Sequence, residues 1–330
     1  MTATRRSALK LAAGGALALA AGAEAAARAG PTAAAEEDLD HLVTRHRIVR
    51  VGGVDIFYRE AGRPDAPALL LLHGFPTSSH MFRHLIPALA DRYRVVAPDY
   101  PGFGYSGFPG RGEFDYSFAA LARIVAAFTD AVGLRRYALY IQDYGAPVGL
   151  RLALAAPERV TALISQNGNA YEEGLSPLWQ PLRDYWRDPS ATHRETLRGW
   201  LGEMGTRLQY SAGLPEDQLE RLAPDNWTLD WVKLSRPGNA EVQLDLFGDY
   251  RTNVELYPEF QRLFRDRRPP ALILWGRRDP FFTVEGARAY LRDLPDAELQ
   301  LLDGGHFLLE THGPQATARI RAFLAKTARL

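Results

Sequence analysis

Two aspartates and a histidine occupy positions from which their side chains could together carry out a hydrolysis. Asp143, Asp279 and His306 each follow an apolar, strand-like run by a few residues. An aspartate, with an ordinary pKa of about 3.9, is ionised at neutral pH and can attack an electrophilic carbon without a base. A histidine can take a proton from water, and a second carboxylate can fix its tautomer. These residue types in this order indicate a nucleophile at Asp143, an orienting acid at Asp279 and a base at His306.

The local sequence around Asp143 predicts a sharp strand-to-helix turn. Residues 137–141 are apolar and β-favouring, and residues 145–156 have a small-residue helical pattern. A polar side chain at such a turn is exposed beside the first helical N–H groups. Taken alone, an aspartate at a strand end is more often a turn or capping residue. The joint order and placement of Asp143, Asp279 and His306 favour a catalytic set.

Short apolar runs alternate with helical patterns through most of the chain. The predicted strands are residues 47–51, 54–59, 68–72, 94–97, 137–141, 162–166, 271–275 and 298–302. Gly52 and Gly53 separate the first two runs, which predicts a hairpin. Alternating strands and helices form a mostly parallel sheet, and ligands bind at the carboxyl ends of its strands. The predicted fold class is therefore α/β.

The alternation stops between residues 167 and 268. This stretch is rich in aromatic residues and contains several helical patterns broken by proline. It predicts an inserted, mostly helical cap between two parts of the core, residues 47–166 and 269–330. A cap lined by aromatic side chains favours a small to medium apolar substrate.

The N-terminus predicts export. Arg5 and Arg6 precede an Ala/Gly/Leu run over residues 11–23, which is shorter than the about 20 apolar residues of a membrane span. Residues 27–29 have the small-x-small pattern of a cleavage site. Residues 1–29 thus resemble a twin-arginine signal peptide, followed by a tail over residues 30–46, and the mature protein is expected in the periplasm without a membrane-spanning segment. The alternative is an alanine-rich amphipathic or disordered extension.

Composition excludes several classes of site and partner. The chain of 330 residues has no cysteine and a formal net charge of zero. Disulfides and thiolate metal sites are therefore excluded. A net charge of zero gives no indication that the protein binds nucleic acid. The sequence has no phosphate loop, dinucleotide fingerprint or metal-ligand spacing, so we expect neither a cofactor nor a metal, and water as the co-substrate.

Five short stretches carry a resemblance to a known family. They are His73-Gly74-Phe75-Pro76, Gly102-Phe103-Gly104-Tyr105-Ser106, the turn at Asp143, Trp275-Gly276-Arg277-Arg278-Asp279 and Gly304-Gly305-His306. In this order they resemble the α/β-hydrolase superfamily over residues 48–324. Gln142-Asp143-Tyr144-Gly145 is similar to its aspartate-nucleophile branch, the haloalkane dehalogenases and epoxide hydrolases. The resemblance implies an α/β-hydrolase fold, with an eight-stranded sheet and an inserted helical cap.

The resemblance also implies a role for each matching residue. Asp143 would form an alkyl ester, and His306, oriented by Asp279, would activate water to hydrolyse it. The backbone N–H groups of Phe75 and Tyr144 would form the oxyanion hole. Glu172 or Glu173 is an alternative acid, as in some relatives.

The two subfamilies differ in the group that assists the departing atom. Dehalogenases typically bind halide with an indole next to the nucleophile and with an Asn or a second Trp, where this chain has Tyr144 and Phe75. Trp179 could supply one missing donor, and residues 73–79 are dehalogenase-like. Epoxide hydrolases instead protonate the opening oxygen with cap tyrosines. The candidates in the cap are Tyr171, Tyr185, Tyr210, Tyr250 and Tyr257.

Tyr250 and Tyr257 are the preferred candidates, because they flank residues 251–253 late in the cap. On this basis the resemblance favours an epoxide hydrolase, with haloalkane dehalogenase as the alternative. A ligand-binding relative without catalysis is an alternative of a different class.

Overall fold

The computed structural model describes residues 39–327, in which strands and helices alternate as predicted. The strands are β1 (Arg45–Val51), β2 (Val54–Ala61), β3 (Ala68–Leu72), β4 (Arg94–Pro98), β5 (Tyr137–Gln142), β6 (Val160–Gln166), β7 (Ala271–Gly276) and β8 (Glu298–Leu302). They form one sheet in the order β1-β2-β4-β3-β5-β6-β7-β8. The pairs β1–β2 and β2–β4 are antiparallel, and all other neighbours are parallel. The predicted mostly parallel α/β sheet is confirmed.

The predicted hairpin is formed by β1 and β2. Val51 pairs with Val54, and the two glycines between them have positive φ angles of 55° and 83°. β1 begins at Arg45, inside the segment that was predicted to be a tail. Residues 1–38, with the predicted signal peptide, lie outside the described part, so export stays a prediction. Among the described helices, none has the length and apolar character that a membrane span requires.

Two hydrophobic cores lie on opposite faces of the sheet, because neighbouring residues of a strand point to opposite sides. In β3, Leu70 and Leu72 belong to one core, and Leu69 and Leu71 belong to the other. All four leucines are fully buried. This two-sided burial explains why the strand is a continuous apolar run and not an alternating one.

Five helices complete these cores. They are α1 (Leu85–Leu89), α2 (Phe118–Ala131), α3 (Gly145–Ala155), α12 (Val284–Asp293) and α13 (Leu308–Thr327). α2, α3 and α12 contribute to the first core, and α1 and α13 contribute to the second. α13 is kinked at His312, two residues before Pro314, since proline cannot continue the backbone hydrogen bonding of a helix.

The chain between β6 and β7 is helical. It contains α4 (Gln180–Arg187), α5 (Ala191–Arg198), α6 (Glu203–Ser211), α7 (Glu216–Leu219), α8 (Pro224–Leu234), α9 (Asn239–Asp249), α10 (Arg251–Glu255) and α11 (Tyr257–Arg267). Aromatic side chains from this segment pack against rings that follow the strands. Phe247 contacts Phe75 at 5.3 Å between ring centroids, and Tyr250 contacts Tyr144 at 6.0 Å. The helical segment therefore covers the carboxyl ends of β3 and β5.

Candidate active site

The turn after β5 places the carboxylate of Asp143 at the edge of the sheet. Asp143 has a φ of 48°, in the left-handed region that costs a non-glycine residue conformational energy. A Cβ on Gly145 would lie 2.2 Å from the carbonyl oxygen of Leu72, and one on Gly74 would lie 2.3 Å from the Cβ of Asp143. Both glycines are therefore required for the close approach of β3, the turn and α3.

Backbone donors surround the Asp143 carboxylate. The N–H of Phe75 donates to Oδ1 at 2.6 Å, and the N–H of Tyr144 also stabilises the charged form. Asp143 is nevertheless only 7% exposed, and this burial raises its pKa to about 6. The sequence-based expectation of an ordinary carboxyl pKa is corrected accordingly. At pH 7 the group is still mostly ionised, and it loses its charge in mildly acidic solution.

His306 lies between the two aspartates. Its Nδ1 is 2.9 Å from Oδ2 of Asp279, and its Nε2 is 4.0 Å from Oδ2 of Asp143. The ring is 1% exposed. Burial alone would lower the pKa of His306, but the charge and hydrogen bond of Asp279, together with the charge of Asp143, raise it above its ordinary value. The structure thus brings together all three residues selected from the sequence.

Asp279 is held by four hydrogen bonds. Its Oδ1 accepts from the N–H groups of Phe281 at 2.7 Å and Phe282 at 3.1 Å, and its Oδ2 faces His306. Asn167 donates its side-chain amide to the same Oδ2 at 2.7 Å. Asn167 was not selected from the sequence, although it directly follows β6 at the same edge. Its φ of 47° is a second left-handed non-glycine conformation near the site.

The alternative acids lie elsewhere. Glu172 forms an ion pair with Arg183 at 2.8 Å, and Glu173 forms an ion pair with Arg292. Both glutamate side chains are about half exposed. Asp279 is therefore the carboxylate that can orient His306, and the alternative of Glu172 or Glu173 is wrong.

A small cavity opens on the Asp143 carboxylate. We call it the Asp143 cavity, and its volume is about 40 Å³. Its lining is almost entirely aromatic and aliphatic: Phe75, Asp143, Tyr144, Leu178, Trp179, Leu182, Trp200, Gln209, Phe247, Tyr250 and Phe281. Such a volume holds a water molecule or a small reactive group.

A second, larger depression adjoins this cavity. We call it the outer groove; it has a volume of about 270 Å³ and shares Leu178, Trp200, Gln209 and Phe281 with the Asp143 cavity. Its rim includes Leu178, Met204 and Leu208, which are 49%, 64% and 47% exposed. Large exposed apolar side chains that cluster at one depression often mark a binding groove.

The predicted tyrosines have different positions. Tyr250 lines the Asp143 cavity, and its buried hydroxyl has no hydrogen-bond partner of normal geometry among the described residues. Burial, followed by the nearby Tyr257 and Asp143, raises the pKa of Tyr250 well above its ordinary value, so the phenol keeps its proton. Tyr257 stands outside the cavity lining, and its oxygen accepts from Asn169 at 3.1 Å. Of these two preferred residues, the structure brings only Tyr250 to the cavity.

Two other predicted donors are committed to different partners. The hydroxyl of Tyr171 donates to Asp293 at 2.8 Å, outside the cavity. Trp179 does line the cavity, but its indole N–H donates to the carbonyl of Phe281 at 2.9 Å. These predictions are corrected: neither residue presents a free donor towards Asp143.

The hydroxyl of Tyr144 is a donor that the sequence analysis did not consider. It is buried and has no hydrogen-bond partner within residues 39–327, and its residue lines the cavity. Within the described chain, no three His, Asp or Glu side chains are grouped so as to hold a metal ion.

Comparison with known proteins agrees with this architecture. The family model of the α/β hydrolase fold matches residues 67–313. An uncharacterized hydrolase of Saccharomyces cerevisiae is 43% identical over 83% of this chain and 95% of its own. A haloalkane dehalogenase of Mycolicibacterium paratuberculosis is 41% identical over 80% and 85%. Epoxide hydrolase A of Mycobacterium tuberculosis is 27% identical over 84% and 96%. The chain therefore belongs to the α/β-hydrolase family and is a hydrolase.

Proposed function

We propose that this protein is an epoxide hydrolase that works through a covalent ester on Asp143. The observation that carries the proposal is the protonated phenol of Tyr250, which lies near Tyr257 and lines the same cavity as the Asp143 carboxylate. A nucleophile and a proton donor that face one small apolar space can act on the two ends of a single carbon–oxygen bond. The relative named epoxide hydrolase A supports this assignment.

In the first step, the ionised carboxylate attacks a carbon of the epoxide ring. The carbon–oxygen bond of the ring breaks as the new ester bond forms. The oxygen that departs takes the proton of Tyr250, because an alkoxide is far more basic than a phenolate. The Asp143 carboxylate needs no base for this step, since it is mostly ionised at pH 7.

In the second step, His306 takes a proton from water, and the resulting hydroxide adds to the ester carbon of Asp143. The bond between that carbon and the product oxygen then breaks, and the product oxygen takes the proton from His306. The carboxylic acid left at Asp143 returns its proton to the Tyr250 phenolate, which restores the free enzyme. The N–H groups of Phe75 and Tyr144 are placed to stabilise the oxyanion, since both already stabilise the carboxylate. In the free enzyme, the negative charge of Asp143 helps to raise the pKa of His306. Esterification of Asp143 removes this charge. The pKa of His306 therefore falls in the intermediate, so more of the ring is neutral, and able to take a proton, at a given pH.

Haloalkane dehalogenation is the second candidate. It is favoured by the relative that is 41% identical and named haloalkane dehalogenase, and by the unpaired hydroxyl of Tyr144, which could donate to a halide. A halide leaves as a stable anion and needs hydrogen bonds but no proton. An epoxide oxygen needs the proton itself, and Tyr250 provides a buried source of one.

The shapes of the two spaces support a substrate with a small reactive end and an apolar tail. About 40 Å³ of space at Asp143 accommodates little more than the reacting ring. The outer groove adds about 270 Å³ with a largely apolar lining. We therefore propose monosubstituted, alkyl- or aryl-tailed epoxides as the preferred substrates, because their tail can extend into the groove.

The first prediction concerns pH. Below about pH 6, Asp143 becomes protonated and can no longer attack, so the rate of ester formation should fall as the pH decreases. Ester hydrolysis should also fall once His306 becomes protonated, at a lower pH than in the free enzyme, because the ester no longer carries the charge of Asp143. Single-turnover rates of both steps between about pH 5 and 8 test this expectation. A flat profile in this range would contradict it.

The second prediction concerns the intermediate. Because His306 acts only in the second step, the His306→Gln variant should form the ester on Asp143 and fail to hydrolyse it. Mass spectrometry of the intact protein, followed by peptide mapping, should find the mass of the substrate on Asp143. His312→Gln is a matched control, since His312 is another buried histidine and contacts Thr311 instead of the site. Absence of an adduct with a substrate that the wild-type protein turns over would refute the mechanism.

The third prediction separates the two candidate reactions. Tyr250→Phe should reduce diol formation from styrene-oxide-type epoxides by about 10²- to 10⁴-fold, the usual contribution of a general acid. Tyr171→Phe is the matched control, because its hydroxyl is bound to Asp293 away from the cavity.

The same proteins are assayed for bromide release from bromoalkanes of equal chain length. Diol formation that is lost in Tyr250→Phe and kept in Tyr171→Phe supports epoxide opening. Bromide release by the wild-type protein, with no activity on any epoxide, would assign it to dehalogenation.

A further inference from the structure

The residue before Asp143 contacts the nitrogen of His306 that must accept a proton. Gln142 is the last residue of β5 and is fully buried. Its side-chain Nε2 lies 3.0 Å from Nε2 of His306. The Asp143 oxygen on the same side of the ring is further away, at 4.0 Å. The closest polar neighbour of the proposed base at this nitrogen is thus an amide.

The partners of His306 determine what this amide does. The Nδ1 side of the ring faces Asp279 at 2.9 Å, so Nδ1 carries the proton in the neutral form. The lone pair of Nε2 then accepts a hydrogen bond from the Gln142 amide. The other end of the amide, Oε1, is buried and has no partner within the described chain. A buried amide oxygen without a partner costs free energy, and a role in another state of the site explains why that cost is tolerated.

We propose that Gln142 is a positioning residue whose amide follows the proton on His306, donating to the neutral ring and accepting, through Oε1, from the protonated ring. This inference rests on the proposed ester mechanism, because only ester hydrolysis requires His306 to change its protonation state. In the free enzyme the amide holds Nε2 on the side of Asp143. An amide turned by half a rotation offers Oε1 in place of Nε2, so the same side chain serves both states.

The proton balance of ester hydrolysis defines when each state is needed. The Gln142 amide first moves away from the lone pair of His306 Nε2. Water then gives one proton to this Nε2, and the water oxygen bonds to the ester carbon of Asp143. The protonated ring now carries an N–H at Nε2, which Oε1 of Gln142 can accept. The bond between the ester carbon and the product oxygen then breaks, and that oxygen takes the proton back from His306. The ring is neutral again and the amide returns to donating.

The charged groups that face His306 among the described residues are Asp279 and Asp143. Gln142 adds a neutral contact to this set, and the aromatic rings of Phe281, Phe282 and Phe307 cover the rest of the imidazole. A carboxylate at position 142 would therefore be a third negative group at the ring. It could accept from the protonated ring but could not donate to the neutral one.

The experiment measures the two half-reactions separately in Gln142 variants, by rapid quench and mass spectrometry of the Asp143 ester with styrene oxide. Gln142→Met removes both hydrogen-bonding atoms and keeps a side chain of similar size. It should slow ester hydrolysis by about 10- to 100-fold, the usual effect of one hydrogen bond to a charged group, with ester formation little changed. Gln142→Glu should move the pH midpoint of ester hydrolysis upwards by about one to three units. If Gln142→Met is too unstable to purify, Gln142→Glu provides the test.

Gln243→Met is the matched control, since Gln243 is also buried with an unpartnered Oε1 but lies in α9 outside the site. It should lower stability and leave the ratio of the two rates and the pH midpoint unchanged. The proposal would be overturned if Gln142→Met hydrolysed the ester at the wild-type rate and Gln142→Glu kept the wild-type pH midpoint. It would also be overturned if Gln142→Met slowed ester formation and ester hydrolysis equally. If ester never forms in the wild-type protein or in His306→Gln, the proposed function itself fails, which distinguishes the two results.

Discussion

The left-handed backbone at Asp143 is the constraint on which the site depends. With a φ of 48°, the chain reverses within one residue and the carboxylate points out of the sheet. The neighbouring segments pack tightly against this turn: Gly145 passes next to the Leu72 carbonyl, and Gly74 passes next to Asp143 itself. The same close approach brings the N–H of Phe75 to 2.6 Å from the carboxylate. Strain in the turn, the orientation of the Asp143 carboxylate and an anion-stabilising donor are thus parts of one local structure.

Burial makes the charges of the site depend on each other. Asp143 is so enclosed that its pKa rises to about 6, and the enclosed His306 keeps a raised pKa only because Asp279 and Asp143 face it. A covalent bond to Asp143 removes one of these two charges. In the proposed mechanism, formation of the ester therefore lowers the pKa of His306 before the second step. The contact between Gln142 and Nε2 of His306 adds a neutral group that can accommodate both protonation states of the ring.

The sequence was most informative where structure is set by local patterns. Strands β3 and β5 are buried on both faces, and their apolar runs were sufficient to predict them and the residues that follow their ends. The placement of Asp143, Asp279 and His306 followed from this topology. Side-chain partners could not be predicted in the same way. From the sequence, the hydroxyl of Tyr171 and the indole of Trp179 were predicted to be available as donors. In the fold they donate instead to Asp293 and to the carbonyl of Phe281. Asn167 was missed because its importance comes from a contact across more than a hundred residues.

The central claim is that Asp143, and not water, attacks the substrate. A single turnover in water labelled with heavy oxygen, with enzyme in excess over styrene oxide, tests it most directly. We predict that the label enters the carboxylate of Asp143, found by mass spectrometry of the peptide, and that the first product molecules carry the unlabelled carboxylate oxygen. Label that appears in the product at once, with Asp143 unlabelled, would show that water attacks the substrate directly and would contradict the account.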